Sequence, residues 1–199
     1  MRRLVLVVIA MVAFLSMAAP VAAARPIKES GTFEQALAFS SSCTQQGPNT
    51  SCTDAEVDYF SYPDGYTEAC VWIFSYTIGR NGQFRPGAQQ SGCMPGAVGD
   101  VSDDASAATL TATEVQLFDC NQRTCTPGDT VTVSASWSAV GAPMTYTRRE
   151  TFSDGTCTYR QTITGVQSEA TSSFSIGSAT YNGDGFLVHE DYAVTARCR

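Results

Sequence analysis

Apolar and polar residues alternate with a period of two along most of this chain. Val131, Val133, Ala135 and Trp137 alternate with Thr130, Thr132, Ser134, Ser136 and Ser138. That is the pattern of a strand with one face in a core and the other in water. Ala55, Val57 and Tyr59 oppose Asp54, Glu56 and Asp58 in the same way, and Phe33, Leu37 and Phe39 oppose Glu34, Ala36 and Ala38. Ala69 to Ile78 is apolar on both sides, with Trp72, Phe74 and Tyr76 on one and Val71 and Ile73 on the other. This predicts a central strand covered on both faces. From Phe186 to Cys198 the apolar residues fall on even positions, which predicts that His189 and Asp191 lie on a polar, solvated face. Between Ala112 and Val115 the phase slips, as a β-bulge requires.

Turn residues separate these runs. Gly79-Arg80-Asn81-Gly82, Pro127-Gly128-Asp129 and Ser153-Asp154-Gly155 each read as a turn. No helical period extends beyond two turns. Nine or ten short strands at regular spacing predict an all-β fold, an antiparallel β-sandwich or open barrel, of which the sandwich is the preferred reading. Residues 95–108 are rich in glycine, aspartate and small residues and are expected to form a loop or linker between two cysteine-containing halves. A faint echo, Phe60-Ser61-Tyr62-Pro63-Asp64-Gly65 before Cys70 and Phe152-Ser153-Asp154-Gly155 before Cys157, fits an internal duplication. A single sandwich over residues 25–199 is preferred, because neither half alone has many large apolar residues.

The first residues depart from the pattern. Arg2 and Arg3 precede an unbroken apolar run from Leu4 to Leu15, and small residues follow up to Ala24. Residues 1–24 read as a cleaved secretory signal peptide, too short in its apolar run to span a bilayer. The expectation is an exported, soluble chain, extracellular or periplasmic, with no membrane anchor. Without those 24 residues, 10 basic side chains face 19 acidic ones, a net charge of −9. Such a surface repels phosphate backbones, so nucleic acid is not an expected partner.

Eight cysteines in an exported chain predict four disulfides. Cys120 and Cys125 bracket a four-residue loop between strand-like runs and read as a hairpin clip. Cys43 and Cys52 bracket a longer loop and read as a looser clip. Cys70–Cys93 and Cys157–Cys198 then remain as longer bridges. No C-x-x-C occurs, and a single histidine cannot complete the usual zinc sets, so the cysteines are not read as a metal site.

Candidate chemistry is sparse. His189, Glu190 and Asp191 are the only place where a histidine meets carboxylates in sequence, the raw material of a hydrolase. Neighbouring strand residues point to opposite faces, so His189 and Glu190 cannot act together on a regular strand. No G-x-S-x-G nucleophile motif is present. Asp54, Glu56 and Asp58 share a strand face and are weak calcium candidates. Tyr59 to Tyr66 crowds aromatics around a Pro-Asp-Gly turn, and Phe60, Tyr62 and Tyr66 are the candidate ligand-binding residues. No cofactor is expected. The reading is an exported, non-catalytic binding or structural protein with a glycan or protein ligand. The alternative is an extracellular hydrolase using His189 and nearby carboxylates.

Overall fold

The computed structural model describes residues 27–121 and 124–198. The expected signal segment, residues 1–24, lies outside them. Among the described residues there are ten β-strands and no helix. They are β1 (Ile27–Gln46), β2 (Asn49–Ser61), β3 (Thr67–Ile78), β4 (Phe84–Pro95), β5 (Val98–Val101), β6 (Ala107–Cys120), β7 (Cys125–Ala139), β8 (Met144–Ser153), β9 (Cys157–Ile176) and β10 (Ala179–Cys198). Every pairing is antiparallel, in the order β10-β1-β2-β3-β4-β6-β7-β9, and β9 also pairs with β10. The hydrogen-bonded path therefore returns to its start. Two strands lie off this circuit: β5 pairs with β6, and β8 runs along the lower part of β9.

One apolar core fills the interior and draws on both halves of the chain. It joins Ala36, Ala38, Val57, Tyr59 and Val71 to Leu110, Val133, Trp137, Phe174 and Leu187. In β1 the alanines face this core, while Phe39 on the opposite face is exposed. Small residues are required there because Trp137, only 2% exposed, crosses the interior from β7 and donates its indole N–H to the Leu37 carbonyl at 2.8 Å. A Cβ at Gly185 of β10 would stand 2.6 Å from the Trp137 ring, so the indole occupies the space that a side chain would take.

The four disulfides are Cys43–Cys52, Cys70–Cys93, Cys120–Cys125 and Cys157–Cys198. Each joins residues directly opposite one another in neighbouring strands. The bridges fasten β1 to β2, β3 to β4, β6 to β7 and β9 to β10. Each of the eight strands of the circuit thus carries one half-cystine, and stapled seams alternate with unstapled ones. Four disulfides fit an oxidising environment, extracellular or periplasmic.

The bulge in β6 lies where the phase slips: the register with β7 shifts between Ala112 and Val115, and Glu114 takes a φ of 62°. Other expectations need correction. Pro127-Gly128-Asp129 is not a turn but part of β7, and the reversal comes between Cys120 and Cys125. The strands are not all short: after the Ser153-Asp154-Gly155 turn β9 runs unbroken for 20 residues. The β3 strand is not covered on both faces: Val71 is in the core, while Trp72, Phe74 and Tyr76 are only partly buried. Residues 95–108 contain β5, and Ala97, Val101 and Ala105 from this stretch are buried.

The largest correction concerns β10. Leu187, Val188 and His189 are three consecutive buried residues. They mark a switch in the covered face. Above them, Leu187, Gly185 and Gly183 face the core. Below them, the even positions are the more covered ones, ending in buried Ala196. The same switch runs through β9, from buried even positions Ser168 to Ile176 to buried odd positions Tyr159 and Ile163. His189 stands at the switch and faces inward, on the same side as Leu187 and opposite to the solvated position expected.

Candidate functional site

Three places carry chemistry: the inward face at the middle of β10, the β2–β3 turn, and the outer face of β2, β3 and β4. At the first, His189 is directly opposite Glu34 of β1 in the antiparallel register. Both side chains project to the interior face. The His189 Nδ1 atom is 3.7 Å from the Glu34 Oε1 atom. That is too long for a hydrogen bond, and Nδ1 has no hydrogen-bond partner among the described residues. The other ring nitrogen, Nε2, lies 4.0 Å from Oδ1 of Asp191, two residues on, and 4.0 Å from Oδ1 of Asp103 in the β5–β6 turn. Burial holds the Glu34 carboxyl above the usual carboxylate range, opposed by the charge of His189 and reinforced by Asp100 and Asp103.

Asp103 sits on a tightly bonded turn. The Ser102 side chain accepts hydrogen bonds from the backbone N–H groups of Ser106 and Ala107, and Ala105 adopts a φ of 50° with its methyl in the core. The backbone under Asp103 is therefore anchored while its carboxylate is fully in solvent. Asp191 accepts a hydrogen bond from the Thr32 hydroxyl at 3.0 Å. Beyond them the inner surfaces of β1, β9 and β10 continue as an open groove lined by Ser30, Thr32, Thr162, Thr164, Asp191 and Ala193.

Glu190 does not join this group. It points to the opposite face, where the Tyr146 hydroxyl of β8 donates a short hydrogen bond to it. Burial and that bond push the Tyr146 phenol above its usual range. Of the three consecutive residues His189, Glu190 and Asp191, the structure unites the first and the third, and adds Glu34 and Asp103 from elsewhere. The register of β1 against β10 could not be seen in the sequence, so Glu34 gave no signal. The group offers an imidazole among carboxylates, and no hydroxyl or thiol is hydrogen-bonded to the imidazole among the described residues.

At the β2–β3 turn, Tyr62 packs edge-on against Phe33 of β1 at 5.7 Å and lies 6.2 Å from Phe60 and 5.6 Å from Tyr66. Burial raises the Tyr62 phenol pKa. Tyr62 and Phe60 are partly buried, and Tyr66 is 44% exposed. Asp64 fixes the turn by accepting the backbone N–H of Tyr66. The aromatics therefore lie over the outer face of the sheet rather than standing free at its end.

On that same outer face, Trp72, Phe74 and Tyr76 follow one another along β3. Phe74 and Tyr76 are stacked 5.6 Å apart, and Phe84 of β4 lies 6.1 Å from the first and 5.2 Å from the second. Phe84 is 53% exposed. Polar residues flank the rings. Glu56 and Asp54 of β2 stand opposite Trp72 and Phe74, and Ser91 and Gln89 of β4 stand opposite them on the other side. The three acids of β2 are therefore spread along this face, with Asp58 buried, only 5% exposed, beside the Cys70–Cys93 bridge and Asp54 bonded by the Ser41 hydroxyl. Glu68, Cys70 and Cys93 lie close enough to hold an ion, but both sulfurs are spent in a disulfide.

No protein-family model matches this chain, and no curated protein is similar to it. Among solved structures, the β domain of the Bordetella autotransporter Brka is similar at 8% identity and a TM-score of 0.15, over 82% of this chain and 98% of that one. A likeness this slight carries no argument about fold or function.

Proposed function

We propose that this is an exported, non-catalytic binding protein that holds a glycan along the outer face of β2, β3 and β4. The observation that supports this is the aromatic-studded face itself. Phe60, Tyr62 and Tyr66 stand at one end of it and Trp72, Phe74, Tyr76 and Phe84 at the other. From Glu68, opposite Phe60, to Tyr76, opposite Cys52, the strand advances roughly 26 Å at the usual rise of a β-strand. Flat rings offer stacking surface to the apolar faces of sugars, and the carboxylates and amides beside them offer acceptors and donors to hydroxyl groups. The acids beside the rings and the net charge of −9 favour a neutral polymer over an anionic one. In the same reading the closed sheet is flattened into two facing layers, a sandwich. Trp137 of β7 reaching the β1 backbone and Tyr59 of β2 donating to the Gly99 carbonyl of β5 support that arrangement.

The test is retention of the purified protein, residues 25–199, on insoluble polysaccharides and cell walls, with peptide-coated beads as the comparison. The expected result is retention on a neutral polysaccharide. Replacing Trp72, Tyr76 or Tyr66 by Ala should each weaken it about tenfold, the effect of roughly 1.4 kcal/mol, with unchanged far-ultraviolet circular dichroism. Retention on no polysaccharide, or retention indifferent to all three substitutions, overturns the proposal.

A further inference from the structure

We propose that the solvent-open face of β1, β8, β9 and β10 below the switch at His189 binds an acidic polysaccharide, a polymer of the uronate class with carboxylates repeated along its chain. This does not depend on the glycan reading of β2, β3 and β4. A segregation of charge supports it. Below the switch, the side of β9 and β10 that faced the core turns to solvent. The register lays four exposed cations on that side: Arg149 of β8, Arg160 of β9, Arg197 of β10 and Lys28 of β1. Arg149 stands in the row of Thr162, Ala193 and Ser30. Arg160 and Lys28 flank Thr195 in the next row, and Arg197 stands beside Thr158 in the one after. The acids Glu29, Glu150 and Glu190 of the same segments fall on the opposite face. Asp191 marks the upper end of the cationic side, where the Thr32 hydroxyl bonds it.

The four cations are not neutralised from within the protein. None of them forms an ion pair among the described residues, whereas Arg148, on the opposite face, is paired with Glu150. Asp154, in the turn between β8 and β9, is taken up by the backbone N–H groups of Thr156 and Cys157 and by the Tyr159 hydroxyl. At the usual strand spacing and rise, successive cations of the group lie about 8 Å apart at Cα. That is about one Debye length at physiological salt, so they repel one another. The chain after residue 24 has 10 basic side chains against 19 acidic ones, and four of the ten gather here. Such a patch draws anions to one face of an otherwise negative molecule. Arg160 has a strand on each side, so protection of an exposed edge does not account for it.

The residues between the cations favour a sugar polymer. Ser30, Thr162 and Thr195 set hydroxyl groups among them, and the groove beyond is lined by Thr32 and Thr164. Guanidinium groups take carboxylates through paired hydrogen bonds, and hydroxyls exchange hydrogen bonds with those of a sugar. No aromatic or large aliphatic side chain stands in these rows. The face therefore offers no platform for the bases of a single-stranded nucleic acid and no apolar anchor for a bilayer.

The test is binding of residues 25–199 to immobilised polygalacturonate. Affinity should fall about tenfold or more between about 50 mM and about 200 mM NaCl, as counterions compete. Arg149→Gln combined with Arg160→Gln should weaken binding by about tenfold or more. Both side chains are exposed, so circular dichroism and Tm should not change. Arg85→Gln, an exposed arginine of β4 away from this face, and Trp72→Ala should each leave the affinity unaltered. The double arginine variant should keep any retention on neutral polysaccharide, which separates the two faces. No binding to polygalacturonate at low salt, or equal affinity in the double variant, would overturn the proposal. Tighter binding to phosphatidylglycerol vesicles or duplex DNA than to polygalacturonate would overturn it in favour of those partners. Self-association in sedimentation that the double substitution abolishes would assign the face to a second copy of the chain instead.

Discussion

Glu34 is a carboxylate that folding makes more basic. Its folded pKa lies above the ordinary value because burial disfavours the charged form more than His189 favours it. The folded protein therefore binds more protons than the unfolded chain in the window just above the ordinary pKa of 4.5. Stability associated with Glu34 is fully present below that value and is lost as the pH rises through the folded pKa. Glu34→Gln should consequently flatten the fall of Tm with rising pH above pH 4.5 and raise Tm at neutral pH. Thermal melts of both proteins in metal-free buffer from pH 4 to pH 7 would check this, and parallel pH profiles would refute it. The same residue shows what the sequence concealed. Glu34 and His189 are 155 positions apart, and only the β1–β10 register makes them neighbours. His189 was misplaced for a related reason: the even positions of β10 are indeed the apolar ones, but the covered face changes in mid-strand, and periodicity assumes that it does not.

At the scale of elements, most strands were legible because their apolar face and their core face coincide. β7 is the clearest case, with Val133, Ala135 and Trp137 all buried. The bulge in β6 was legible for the same reason, since a one-residue slip shows directly in the phase. β3 misled because its aromatic side is apolar yet lies outside, which side-chain chemistry alone cannot distinguish from a second core face. β8 has only β9 as a neighbour, and its charged Arg148, Arg149 and Glu150 suit an edge. The disulfides act at this scale too. In the chain-entropy account, opening Cys120–Cys125, which spans 5 positions, should cost about 2 kcal/mol, and opening Cys157–Cys198, which spans 41, about 4 kcal/mol. Paired Cys→Ala substitutions followed by urea unfolding measure the difference. Equal losses would show that strain or residual structure, rather than loop length, sets their value.

For the whole molecule, the closed circuit of pairings distributes protection unevenly. β9 and β10 pair with each other over 20 residues, and each has a further partner on its other edge. β5 is 4 residues long and, like β8, has a neighbour on one side only. Native-state hydrogen exchange should be slowest in the backbone amides of β9 and β10 and fastest among the bonded amides of β5 and β8, because local opening follows the number of contacts that must break. Uniform exchange across the ten strands would mean that the molecule opens only as a unit. The ordering follows from pairing partners, and partners are what a single sequence reveals least: strand positions come from local pattern, whereas which strand lies beside which is decided by the chain as a whole.

The alternation of stapled and unstapled seams has a consequence for an encounter with proteases. The four disulfide-closed loops follow one another along the chain without overlapping. Each encloses the tip of one hairpin: the turns after β1, β3, β6 and β9. A cut at Arg80, in the exposed turn between β3 and β4, leaves both new ends tied through Cys70–Cys93. A cut in the turns after β2 or β8, which no bridge encloses, divides the covalent chain in two. The circuit therefore has two classes of vulnerable loop. The Tyr62-Pro63 turn, which no bridge encloses, is folded down against Gly31 and Tyr192 of the sheet.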